Sequence, residues 1–106
     1  MNRYKILLNG RNFLINTKNE LKTLGFYTTR IVEAVSEDES AIFALDILKN
    51  DKELIDMTKN KESNPPMLYV DEISLINDLT DAEDCGFSVY DESNEEYNYA
   101  HQQLQL

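Results

Sequence analysis

Apolar residues fall in strand-length runs at the start of the chain and at helical spacing in its middle. Tyr4-Lys5-Ile6-Leu7-Leu8 and Asn12-Phe13-Leu14-Ile15-Asn16 are two such runs, separated by Asn9-Gly10. Asn-Gly is the strongest local hairpin signal, because a type I′ turn needs positive φ at both central residues. The pattern therefore predicts a strand, a tight turn at Asn9-Gly10 and a second strand. Thr17 to Leu24 is mostly polar and reads as a loop or one helical turn, ended by Gly25.

Phe26 to Val35 is dense in aromatic and β-branched residues, the composition of a strand. Alternation sets Phe26, Thr28, Arg30, Val32 and Ala34 on one face, with Tyr27, Thr29, Ile31, Glu33 and Val35 on the other. One consistent picture points Arg30 outward from a sheet whose opposite face packs on a helix. Ser36-Glu37-Asp38-Glu39 is a capping box, with extra acids where the helix dipole favours them. A helix is expected to about Asn50, burying Ala41, Ile42, Ala44, Leu45 and Leu48. Asp51 to Met57 either extends it or forms a second turn. Pro65-Pro66 marks Lys59 to Pro66 as a loop.

Met67 to Ile73 reads as a further strand, giving the order β-β-β-α-β, an α+β class with a small antiparallel sheet packed on one main helix. Residues 1–76 form the expected core domain. Residues 77–106 form an acidic C-terminal extension, in which Gly86 to Tyr90 suits a short edge strand and Tyr97 to Leu104 suits one or two helical turns.

At 106 residues the chain supports one domain, and its 42% hydrophobic content excludes wholesale disorder. Charge changes the picture more. The net −10 is unevenly spread: residues 1–30 hold six basic side chains against Glu20, net +5, and residues 31–106 carry −15. After Lys61 come eleven carboxylates with no cation, a field that repels phosphates, so direct nucleic-acid binding is not expected. Cys85 alone permits no intramolecular disulfide, the Tyr4–Leu8 run is too short for a signal peptide, and no apolar stretch nears the roughly 20 residues of a membrane span. The expected compartment is the cytoplasm.

Equipment for catalysis is sparse. Cys85 and His101 are the one Cys and the one His, and Glu83 and Asp84 would raise the thiol pKa, so they read as incidental. Asp78, Asp81, Glu83 and Asp84 invite a calcium reading, but Thr80 and Ala82 occupy ligand positions and no Gly follows before Gly86. A solvated charge run fits them better. Isolated Gly10, Gly25 and Gly86 build no phosphate cradle, and neither a His pair for zinc nor a Gly-x-Ser-x-Gly elbow is present.

No catalytic, cofactor or metal residue is assigned. The candidate binding residues are Phe26, Thr28 and Arg30, which could hold a carboxylate or stack a base, and the acidic Asp81, Glu83 and Asp84. Beside that reading stands a plainer one, in which Phe26 is core, the threonine reflects strand propensity and Arg30 pairs with an acid.

The β-β-β-α-β order with acidic character over residues 4–73 resembles small bacterial antitoxins of the HicB type, in element order alone. The leading expectation is a non-enzymatic cytoplasmic interaction protein whose acidic surface takes a basic partner, as an inhibitor, antitoxin or nucleic-acid mimic does. The alternative is a homo-oligomeric, for instance dimeric, small-molecule-binding domain whose basic N-terminal part faces an acidic segment of a neighbour.

Overall fold

The computed structural model describes residues 1–17, 20–77 and 86–92. Strands β1 (Asn2–Thr17) and β2 (Glu20–Ala34) form one long antiparallel hairpin, followed by helices α1 (Glu37–Lys49) and α2 (Lys52–Met57). Strands β3 (Met67–Ile76) and β4 (Ser88–Asp91) then flank the hairpin in the order β3-β1-β2-β4, each neighbouring pair antiparallel. The class is α+β, a four-stranded antiparallel sheet with two helices. β2 and β3 consequently run parallel with β1 between them, and the helices carry the chain across.

This order corrects the sequence reading in two places. Elements run β-β-α-α-β-β, so the resemblance to HicB-type antitoxins, which lay in the order β-β-β-α-β, loses its basis. Asn9-Gly10 also makes no turn, since both residues stay in β1, paired with Tyr27 and Phe26. A Cβ on Gly10 would lie 2.3 Å from the Phe26 ring, so glycine is required there for the ring to cross the strand. Positive φ occurs instead at Asn12, at 59°, where the β1–β2 register shifts between Gly10 and Phe13. Asparagine tolerates that conformation better than most residues. The chain reverses between Thr17 and Glu20, which pair with each other, and Glu20 to Leu24 belongs to β2.

One sheet face carries the core. Tyr4, Ile6 and Leu8 of β1 lie opposite Val32, Arg30 and Thr28 of β2, and Val70 and Ile73 of β3 complete the layer. Ala44 and Leu48 of α1 and Leu54 of α2 close over it. α1 begins at the expected N-cap, where Ser36 Oγ accepts from the Glu39 amide at 3.1 Å; the Glu39 carboxylate reaches one residue further back than a capping box requires and accepts from the Val35 amide at 3.4 Å. Asp51 caps α2 by accepting from Leu54 N–H at 3.0 Å. The buried helical stripe is Ser40, Ala44 and Leu48, spaced by four. Ile42, expected inside, is 57% exposed, because a stripe through those three residues turns position 42 away from the sheet.

The β1 bulge also gathers distant segments. Asn12 donates its side-chain amide to Asn64 Oδ1 at 2.9 Å and to the Pro65 carbonyl at 3.1 Å. Its own carbonyl accepts from Asn60 Nδ2 at 2.8 Å, and its N–H donates to Glu92 just beyond β4. Asn60 Oδ1 accepts from Leu14 N–H at 2.8 Å, fixing the loop before β3 against β1.

Asn12 therefore combines backbone tolerance with side-chain bonding. In urea unfolding, Asn12→Gly, which keeps the conformation and loses the side-chain bonds, is expected to cost about 1–2 kcal/mol. Asn12→Ala is expected to cost about 1 kcal/mol more, from the left-handed backbone. Equal stability of the two variants would show that the backbone conformation contributes nothing.

Candidate functional site

Phe26, Thr28 and Arg30 do share a face, as alternation requires, but it is the face on which the helices pack. This corrects the picture of Arg30 turned away from the helix side. Phe26 is 3% exposed, its ring 5.0 Å from Phe13 on one side and 5.0 Å from Phe87 on the other. Thr28 is buried and its Oγ1 accepts from Arg30 Nη1 at 2.8 Å, while Nη1 also donates to the Thr29 carbonyl at 3.1 Å. The guanidinium lies 5.3 Å from the centre of the Phe87 ring. Phe87 is thus held between Phe26 and Arg30 just before β4, an arrangement that fastens the fourth strand. Asp81, Glu83 and Asp84, together with Cys85 and His101, lie outside the described residues.

The opposite face fastens β4 a second time. Tyr90 lies across Gly25, where a Cβ would sit 2.3 Å from its ring, and Asn9 Nδ2 donates to the Tyr90 hydroxyl at 3.1 Å and the Phe26 carbonyl at 2.9 Å. Arg11 Nε approaches Glu92 at 3.9 Å. Partial burial opposes the Arg11 charge, but Tyr90, Glu92 and Tyr27 outweigh it and raise the pKa, so the side chain stays cationic. Lys22 and Asp91 approach at 4.0 Å on the other side. Both of the glycines that sequence reading treated as punctuation, Gly10 and Gly25, are seats for aromatic rings.

The long β3 edge is built differently. β3 ends the sheet, and among the described residues none pairs with its outer side. It spans ten residues, with two carboxylates and no cation. Asp71 is the extra residue where the β1–β3 register shifts, and both Asp71 and Glu72 are exposed. On the helix side, a cavity of about 400 Å³ opens between α1, α2 and the start of β3. Phe13, Leu45, Leu48, Leu54, Pro66 and Leu68 supply most of its apolar wall, with Lys49 and Thr58 as the polar lining. Thr58 Oγ1 already donates to the Leu54 carbonyl at 2.6 Å.

Sequence reading found the β3 strand without recognising it as an edge, because pairing order does not follow from the pattern of one strand. Adjacent acids in the middle of an apolar strand are a signal of an edge. The cavity left no comparable trace, since its lining comes from four separated segments. Among the described residues, no group of three or more His, Cys, Asp or Glu side chains is arranged to hold a metal ion, and no helix is long and apolar enough to cross a membrane.

The Arg30 arrangement predicts a structural rather than a ligand-binding penalty. Arg30→Gln is expected to lower stability by about 1 kcal/mol in urea unfolding, through the lost ring stacking and hydrogen bonds. Arg30→Lys is expected to recover little of this, because an ammonium does not reproduce the planar fork. Unchanged stability in both variants would remove this account.

No protein-family model, no curated protein and no solved structure matches this chain.

Proposed function

We propose that the chain is a non-enzymatic protein-interaction domain whose acidic, partly apolar surface takes a basic partner, as an inhibitor, antitoxin or nucleic-acid mimic does. One observation carries the reading: the outward side of α1 and α2 mixes carboxylates with uncovered large apolar side chains. Ile42, Phe43 and Ile47 are 57%, 40% and 43% exposed, and Asp38 and Asp46 are exposed on the same helix. On α2, Ile55 and Met57 are also exposed, beside Glu53 and Asp56, with Ile55 at the cavity by Leu68. Apolar area supplies contact, and a predominance of one charge, here carboxylates over the exposed Lys49 and Lys52, selects the partner and speeds encounter. The sequence after Lys61 adds eleven carboxylates and no lysine or arginine to the net charge.

A second reading, a homo-oligomeric small-molecule binder, draws support from the cavity beside Leu68, whose volume of about 400 Å³ is in the range of ligand pockets. A strict monomer by light scattering, with no melting shift across a metabolite panel, would remove it.

The leading reading is tested by immobilising the full chain and identifying retained proteins by mass spectrometry at about 50 mM and about 500 mM salt. Basic proteins are expected to bind at low salt and elute at high salt, with Asp38→Lys/Asp46→Lys reducing capture several-fold. Retention that ignores salt, or no retention at all, overturns the proposal.

A further inference from the structure

We infer that the outer edge of β3 accepts an extended, basic segment of a partner protein as a fifth strand, with one apolar side chain of that segment entering the cavity beside Leu68. The inference rests on the reading of an acidic surface for a basic partner and names the mode of capture. On either side of the Asp71 bulge, this terminal strand directs the N–H and C=O groups of alternate residues outward, and among the described residues nothing satisfies them within the fold. Such an edge is a template for strand addition, in which backbone hydrogen bonds supply affinity and pockets for alternate side chains supply selectivity.

Both faces of the edge define what fits. Leu68, Val70, Ile73 and Leu75 lie on the helix side, because they pair with Gly10, Leu8, Ile6 and Tyr4 of the core face. An added strand sets a side chain opposite each of them, about 5 Å away on the same face. The one opposite Leu68 adjoins the apolar cavity that Leu68 and Pro66 help to line. In the middle of the edge, Asp71 and Glu72 call for lysine or arginine opposite them.

Those carboxylates also argue against a second copy of this chain as the occupant. Antiparallel pairing of two β3 strands with matching faces sets Val70 opposite Ile73 and Leu68 opposite Leu75, which is favourable. The same register sets Asp71 of each copy directly against Glu72 of the other, with no cation in either strand. Like charges directly opposite are destabilising, and edge acids are a common guard against self-association. The guard becomes an attraction once the incoming strand is basic.

The β4 edge offers no comparable site. β4 has four residues and is held by Phe87, Tyr90 and Glu92 against the hairpin. β3 is the longer of the two terminal strands and the one with an apolar cavity alongside.

The test uses the full chain and a synthetic ten-residue peptide of alternating leucine and threonine with a central pair of lysines. A second peptide of the same sequence is N-methylated along its length, keeping charge and side chains but removing the backbone donors. Affinities come from calorimetry, and amide hydrogen exchange of β3 is followed by NMR. Strand addition predicts that the first peptide binds and slows exchange at alternate β3 residues. It predicts binding weaker by at least about tenfold for the methylated peptide and for the Asp71→Lys/Glu72→Lys chain. Asp71→Asn/Glu72→Gln provides a milder variant should the reversal disturb folding, and it is expected to weaken binding several-fold. Equal binding of the two peptides with unchanged β3 exchange overturns strand addition and leaves charge-driven capture standing. Absence of peptide binding, with salt-sensitive retention of basic proteins still seen, overturns strand addition alone. Absence of both overturns the underlying reading as well.

Discussion

The fold depends on one irregularity in β1. Between Gly10 and Phe13 the strand slips its register against β2, and Asn12 takes up the left-handed backbone that the slip creates. From that position Asn12 bonds to Asn60, Asn64 and Pro65 on the approach to β3 and to Glu92 at the end of β4. One residue thereby ties both outer strands to the central hairpin. Gly10, beside it, leaves room for Phe26, whose ring joins Phe13 to Phe87. A bulge bends a strand and re-aims the side chains around it. Here it brings the loop before β3 and the segment after β4 to the same stretch of β1.

The two sheet edges contrast as a result. β4 is short and fastened on both faces, by Phe87 beneath Arg30 and by Tyr90 over Gly25. β3 is long, acidic at its centre and bordered by an apolar cavity. Arg3, Lys5 and Arg11 lie on the sheet face away from the helices, together with Glu33 and Glu72, while Lys22 and Arg30 lie on the helical face.

Local features were legible. Ser36 caps α1 through the Glu39 amide as its spacing requires, and the alternation from Phe26 to Ala34 divides the strand between its faces as period two demands. The candidate trio was legible as a cluster and not as to its role. Phe26, Thr28 and Arg30 stand together because of strand periodicity, but their partner Phe87 lies 57 residues beyond Arg30 and nothing in the local pattern announces it. Ile42 fails for a related reason. Several apolar stripes can be drawn on one helix, and the sheet selected the one through Ser40, Ala44 and Leu48.

By itself the sequence determined the α+β class, the start of α1 and which residues from Phe26 to Ala34 share a face, because these follow from caps and periodicities spanning a few residues. Tertiary structure alone decided that Asn9-Gly10 continues a strand, that β3 lies on the far side of β1, and that its acidic edge adjoins a cavity. A glycine serves a turn or an aromatic ring with equal ease, and only the strand opposite decides between them. Likewise, a strand's neighbours are set by contacts between segments far apart in the chain, whose energies no local pattern contains.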